Sequence, residues 1–248
     1  SQIYILCSKS GEYLNCMYID KDQVRLSVVL PVYNKQNSIT VIAGLLKRII
    51  EKDLSIKKYE IIYVDDCSTD NSLQILQQMK DEHVVVIKHA KNMGQVRAIE
   101  TGLKAATGNL FAVYSCDMQN SFETIIPLFN AIAEGNDLAA GYRATRSDTG
   151  LGVLFSKAFF GLLSLFEPKM PRGGFDFCLM NDYLYQQFIK NDFDKVFLQL
   201  EVLHLSRKTY FLPSERINDT FDKSSWTFIS RVKYAHKSLK YIIKRKLC

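Results

Sequence analysis

Between residues 25 and 143 the chain switches hydrophobic period repeatedly. RLSVVLPVYN (25–34), YEIIYVDD (59–66), HVVVIKH (83–89), NLFAVYS (109–115) and DLAAGYR (137–143) are short β-rich apolar runs. Each reads as a strand buried on both faces. Between them SITVIAGLLKRIIEKDL (38–54), NSLQILQQMKDE (71–82), GQVRAIETGLKAATG (94–108) and FETIIPLFNAIAEG (122–135) carry helical spacing, and several stop at Gly. Strands alternating with helices in this order predict an α/β fold built on a doubly wound, mostly parallel sheet.

In such a sheet, ligands bind where loops leave the carboxyl ends of the strands. That rule gathers Asn34, Asp65, Asp66, Asn92, Asp117 and Gln119 on one rim, a polar ligand site in prospect. Any one of them alone reads as a turn former or N-cap, and Asp70-Asn71-Ser72 reads that way for the second helix. For Asp117, at the lip of the fourth strand, the plain alternative is a cap for the helix opening at Phe122. Neither G-x-G-x-x-G nor G-x-x-x-x-G-K-[ST] occurs, so the glycine loops that cradle phosphates in dehydrogenases and P-loop enzymes are absent. A nucleotide diphosphate held without them needs a divalent metal, Mg2+ or Mn2+. One carboxylate and one amide oxygen, Asp117 and Gln119, suit that ion when the substrate's phosphates and water complete the shell.

With 248 residues and 47% apolar content, the chain is long enough for one large core with appendages. Its six cysteines (Cys7, Cys16, Cys67, Cys116, Cys178, Cys248) show neither a C-x-x-C pair nor regular spacing, so a zinc site or a disulfide framework is not expected, and reduced thiols in a cytosolic setting are. AFFGLLSLF (158–166) is far shorter than the roughly 20 residues that cross a bilayer. No secretory leader pattern stands at the N-terminus, which begins at Ser1. Net charge is +6, and residues 223–248 alone hold eight Lys and Arg with no Asp or Glu, so the basic character lies in the tail. There, Phe228, Ile229, Val232, Ala235, Leu239, Ile242 and Ile243 fall at helical spacing opposite the cations. The pattern suits a helix lying on an anionic membrane surface, or a helix packed on the domain or in an oligomer. With no RNA-binding signature and a basic patch confined to one helix, nucleic acid is not an expected partner. The four histidines (His83, His89, His204, His236) have no ligand spacing and read as structural or surface residues.

The segments LSVVLPVYN, IIYVDDCSTDNS, KNMGQVRAIETGLKAATGNLFAVYSCDMQNSFE and AAGYRATR resemble the family 2 glycosyltransferases of the GT-A fold, most of all the branch acting on polyprenyl or dolichol phosphate. The resemblance covers about residues 25 to 240. It implies a nucleotide pocket lined by Pro31, Tyr33 and Asp65, with Asp66 and the Asn92, Gly94, Gln95 loop nearby. It also implies that Asp117 and Gln119 hold the metal against the diphosphate, and that sugar transfer proceeds with inversion. Ser115 stands where most relatives have a first Asp, Lys35 where many have Glu, and Ser121-Phe122 where Pro-Pro is usual.

Three readings follow. A polyprenyl-phosphate acceptor is already anionic and needs cations, for which Arg143 and Arg146 are candidates with Arg172 or Lys157 behind them. A hydroxyl of a lipid-linked glycan instead needs a general base, and Asp176 after Gly173-Gly174 is the best placed carboxylate. A nucleotide-sugar-binding protein without catalysis is the third, motivated by Ser115 and Lys35. The expected organisation is an extension of unknown role over 1–24, a glycosyltransferase domain over 25–220 and the amphipathic tail over 221–248. The expected location is cytoplasmic, peripheral on the inner face of the plasma membrane. Residues 1–24 match no part of the family pattern; an extra hairpin and an edge strand pairing two subunits are both open, so a homo-oligomer is among the expectations.

Overall fold

In the computed structural model the sheet has seven strands in the order β3-β2-β1-β4-β6-β5-β7. The structure describes residues 20–116, 121–143, 161, 167–171, 174–191 and 198–214, with Arg143 and Asp176 described by their backbone alone. Asp117, Gln119, Arg146, Lys157, Arg172 and the amphipathic tail lie outside the described residues, as do the first 19 residues.

The first five strands fall where the apolar runs place them: β1 (Arg25–Val32), β2 (Lys58–Asp65), β3 (Val84–Lys88), β4 (Leu110–Val113) and β5 (Leu138–Arg143). The four helical segments appear as α1 (Ile39–Arg48), α2 (Ser72–Gln78), α3 (Gln95–Ala105) and α4 (Ile125–Ala133). A π-helical turn, Ile49–Asp53, extends α1, and a 3-10 turn, Phe122–Thr124, precedes α4. Gly135 (φ 83°) ends α4 in the left-handed conformation expected of a stop signal. Gly108 does not cap α3. A Cβ there would lie 2.3 Å from the Arg25 carbonyl oxygen, so it is a close-packing glycine.

The sheet is mostly parallel as expected, and its order in space differs from chain order. β5 does not follow β4 in space: β6 (Phe175–Asn181) inserts between them antiparallel to both, and β7 (Thr209–Ser214) closes the edge parallel to β5. The sequence pattern ends at residue 143, and β6 lies beyond it across a long connection, so periodicity alone had no means of ordering the two. Helices cover both faces. Val28, Leu30, Tyr63 and Tyr114 pack toward α1, α2 and α4, while Val29, Ile62, Val64 and Phe111 pack toward α3, α5 (Asp182–Phe188) and α6 (Leu198–Leu205). This two-sided burial explains the near-continuous apolar runs, because neither face of a central strand meets water. β1, β2, β3, β4 and β5 all end on one edge of the sheet, and antiparallel β6 begins there.

Candidate active site

The rim is a set of stitched turns. The Asp66 amide donates to the Val32 carbonyl (2.8 Å) and the His89 amide to the Asp65 carbonyl (2.8 Å), carrying the sheet ladder one rung past each strand end. Asn34, in the left-handed region at φ 54°, accepts the Thr69 amide on Oδ1 (2.8 Å) and donates its own amide to Ser68 Oγ (3.0 Å). Lys35 and Gln36 donate their amides to Ser72 Oγ (2.7 Å) and Asp70 Oδ2 (3.2 Å). Asp70 Oδ1 accepts the Ser72 amide (2.9 Å), so this aspartate does tie down the start of α2, as its sequence context suggests. The turn after β1 and the turn after β2 therefore form one unit, with Cys67 (φ 61°) as a second left-handed non-glycine residue within it.

Asp65 and Asp66 point to opposite faces because strand side chains alternate. Asp65 is fully buried; its Oδ2 accepts the Ser68 amide (3.2 Å), and its Oδ1 has no hydrogen-bond partner. Two residues earlier on the same face, the buried Tyr63 hydroxyl is also without a partner, and burial raises its pKa well above the ordinary phenol value. An unsatisfied buried oxygen costs about 1–3 kcal/mol, so these atoms mark the carboxyl end of β2 as a place where stability is given up. Asp66 is the reverse case. Its Oδ1 accepts the Met93 amide (2.8 Å) and faces His89 Nδ1 (2.8 Å), and its Oδ2 accepts the Gly94 amide (2.7 Å). Gly94 (φ 89°) turns the chain into α3, leaving Asn92 and Gln95 exposed at the rim. Pro31 and Tyr33, at the end of β1, are half-buried on the same edge.

The flanks of residues 117–120 are held by rings. Tyr114 stacks on Phe122 (5.3 Å between centroids) and on Phe177 (4.9 Å), and its hydroxyl lies 3.2 Å from Thr124 Oγ1. The 3-10 turn beyond begins after Ser121, so its N-cap position belongs to Ser121, four residues past Asp117.

Asp176 occupies a β-bulge. Gly141 pairs with Phe177 and Tyr142 with Phe175, so Asp176 is the extra residue without a partner on β5, beside the rim end of β6. Gly174 (φ 65°) supplies the turn into this strand, and the Gln199 side-chain nitrogen donates to the Phe175 carbonyl from α6. The Gln199 side-chain oxygen is buried without a partner. Arg143, the last residue of β5, pairs with Ser214 at the same edge. The structure thus brings Pro31, Tyr33, Asp65, Asp66, Asn92, Gly94 and Gln95 together, with the backbones of Arg143 and Asp176 on the same edge. Sequence reasoning missed Ser68, Thr69, His89 and Gln199, since a contact 12 to 35 residues away leaves no local signal.

Among the described residues no group of three His, Cys, Asp or Glu side chains is arranged to hold a metal ion, and no helix is long and apolar enough to cross a membrane. A hollow of about 310 Å³ lies at the far end of β2, lined by Glu51, Ser55, Ile56, Lys57, Tyr59 and His83. Within it Tyr59 donates to Glu51 (2.6 Å) and stacks on His83, and it lies at the opposite end of β2 from the rim.

Comparison with known proteins agrees with this geometry. Undecaprenyl-phosphate 4-deoxy-4-formamido-L-arabinose transferase of Proteus mirabilis is 35% identical over 144 residues, 56% of this chain and 43% of the relative. The Yersinia pestis protein of the same name is 34% identical over 136 residues, 54% of this chain and 41% of its own length. The chain thus spans less than half the length of these curated relatives. Among solved structures, glucosyl-3-phosphoglycerate synthase from Mycobacterium tuberculosis, with Mn2+, UDP and glucosyl-3-phosphoglycerate, superposes with a TM-score of 0.63 at 15% identity, covering 98% of this chain and 88% of that one. Mannosyltransferase PcManGT from Pyrobaculum calidifontis, with GDP-Man and Mn2+, gives 0.59 at 16% identity, covering 91% and 64%. At these identities the likeness speaks to the GT-A fold alone. The residues from β1 to the end of α5 match the description "Glycosyl transferase family 2" over 27–188, and the chain belongs to that family.

Proposed function

We propose that the protein transfers a sugar from a nucleotide-sugar donor to a polyprenyl-phosphate acceptor in the assembly of a cell-surface glycan, by one displacement with inversion. The observation that carries this reading is Asp65: a buried carboxylate at the rim with one oxygen left unpaired suits a ligand N–H, and a nucleobase offers one. Asn34, Pro31, Tyr33 and the Asn92–Gln95 loop complete the donor side. The relatives named undecaprenyl-phosphate transferases support the acceptor class.

Asp117 and Gln119 would hold Mg2+ or Mn2+, and the fit rests on donor chemistry. One carboxylate and one amide oxygen at the lip of β4 leave room for two phosphates and water around a hard cation. Bound there, the metal would supply positive charge for the leaving diphosphate. The chain's own part would be to seat the base at Asp65 and to hold the donor loop through Asp66, with Arg143, Arg146 and Arg172 as the candidate cations for an anionic acceptor. The domain would span 25–220, and the basic amphipathic segment 221–248 would lie on the anionic inner leaflet, placing the enzyme beside its lipid acceptor.

The bulge at Asp176 favours a second reading, transfer to a hydroxyl of a lipid-linked saccharide with Asp176 as general base. Bulges are over-represented next to active sites, and an acidic residue whose backbone has no cross-strand partner on β5 at the rim suits proton abstraction. One assay separates these readings. UDP-, GDP- and dTDP-sugars are offered with manganese or magnesium and a short polyprenyl phosphate, and the lipid product is weighed. A product one sugar heavier supports the phosphate acceptor, and Asp176→Asn should then retain activity. Product formed only from a lipid-pyrophosphate saccharide, and lost in Asp176→Asn, moves the role to the hydroxyl mechanism. Donor binding without turnover on any acceptor would overturn both in favour of a nucleotide-sugar-binding protein.

A further inference from the structure

Among the described residues, His89 is the one histidine placed inside the site's supporting framework. It follows β3 directly and is 8% exposed. Its Nδ1 lies 2.8 Å from Asp66 Oδ1, and its Nε2 lies 2.9 Å from Thr101 Oγ1 on α3. An ionised carboxylate only accepts, so Nδ1 carries the proton toward Asp66, and in the neutral ring Nε2 accepts from the Thr101 hydroxyl. The contacts form one chain, Thr101 to His89 to Asp66, which continues through both carboxylate oxygens to the amides of Met93 and Gly94.

Each link has a geometric consequence. Asp66 has three donors on two oxygens, so its rotamer is fixed, and a fixed carboxylate holds two successive amides of a loop that is otherwise exposed at Asn92 and Met93. Thr101 lies next to Gly102, where a Cβ would come within 2.4 Å of the Val29 side chain, so the helix carrying Thr101 is seated tightly on β1. The ring therefore couples a rigid helix to the turn after β2, and through that turn to the loop that opens the same helix. Both ring nitrogens are engaged and the ring is buried, so His89 has no atom left to offer a substrate.

We propose that His89 is a positioning residue for the donor: by fixing Asp66 it sets where the Asn92–Gln95 loop stands, and so how tightly a nucleoside diphosphate is held. This rests on the reading that the loop lines the donor pocket. Hydrogen bonds to a charged group carry enough energy that removing the ring's donor should weaken binding about tenfold.

The test is titration of UDP, GDP and dTDP, each with manganese, into the full chain and its variants, alongside amide exchange. His89→Leu should weaken, by about tenfold, the nucleotide that the wild type holds best. His89→Asn keeps an N–H near the Nδ1 position and should return affinity to within about threefold of wild type. Thr101→Val loosens only the far end of the chain, should fall between the two, and carries the comparison if His89→Leu does not fold. A purely structural histidine would lower the melting temperature and leave affinity unchanged, and that result overturns the proposal. Wild-type protein that binds none of the three nucleotides would sink the donor reading instead. The positioning claim is then decided by exchange at Met93 and Gly94, which should quicken in His89→Leu and overturns the claim if it does not.

Discussion

Phe177 lies across Gly141. The two are paired on neighbouring antiparallel strands, and a Cβ on Gly141 would sit 1.8 Å from the tip of the Phe177 ring. The ring can lie flat over β5 only because nothing projects from residue 141, and in that position it stacks on Tyr114. Tyr114 in turn stacks on Phe122, so a glycine on one strand secures both flanks of the segment carrying Asp117.

Gly141→Ala should therefore destabilise the protein by about 1–3 kcal/mol, read as a lower denaturant midpoint. Phe177→Leu made in that background relieves the clash, so the two substitutions together should cost less than the sum of their separate effects. Strict additivity in a double-mutant cycle would mean that the ring does not depend on the missing side chain.

A second relationship governs acid stability. Asp137, its side chain 3% exposed, accepts from Arg207 Nε (2.9 Å), Arg207 Nη2 (2.7 Å), the Arg207 amide (3.0 Å) and Asn181 Nδ2 (2.9 Å). The hydrogen bond from Arg207, against the opposing effect of burial, lowers its pKa to about 2. Since the folded value lies below the unfolded one of about 3.9, the stabilisation is complete above the unfolded pKa and is lost as pH falls toward 2. Melting temperature should drop over that window in the wild type, and Arg207→Gln should lower it at pH 7 while flattening the drop. An equally steep acid limb in the variant would assign the loss to other carboxylates.

How much of this was legible in the sequence depends on the range of the contact. β1 to β4 and their helices were readable because their signals are local: a run of Val and Ile, then a helical period, then a polar stop. The rim residues were readable for the same reason, since a doubly wound sheet sends every strand end to one edge. Asp66 shows the limit. Its place at the rim followed from its position after Tyr63-Val64-Asp65, yet its partner His89 is 23 residues away and is recognisable only once β3 lies beside β2. The reversed strand β6 shows another. Nothing in FDFCLMN says that it inserts antiparallel between β4 and β5, and the bulge that leaves Asp176 unpaired is a property of that pairing.

If Asp117 holds the metal, Asp117→Ala should lower the manganese-supported rate by about 100-fold or more, the scale of losing a main charge-stabilising contact in the transition state. Gln119→Ala, which removes a neutral oxygen donor, should cost less and be partly recovered at higher manganese. Both effects belong to turnover with a fixed donor and acceptor, so a rate that stays within twofold of wild type in Asp117→Ala would sink the assignment.

Asp65 offers the sharpest opposition between stability and function. Its Oδ1 is buried and unpaired, and its Oδ2 accepts a single amide from Ser68. Asp65→Asn replaces a buried charge by a neutral amide of the same shape, and the Ser68 contact survives if the amide oxygen takes the Oδ2 place. The cost of burying an anion disappears, so the melting temperature should hold or rise. Donor affinity should move the other way. The amide nitrogen now presents a donor where a nucleobase N–H needs an acceptor, and a lost charged hydrogen bond corresponds to a fall of about 10- to 150-fold in affinity. A variant that is less stable and binds the nucleotide as well as wild type would show that Asp65 is held for the fold and that the unpaired oxygen awaits no ligand.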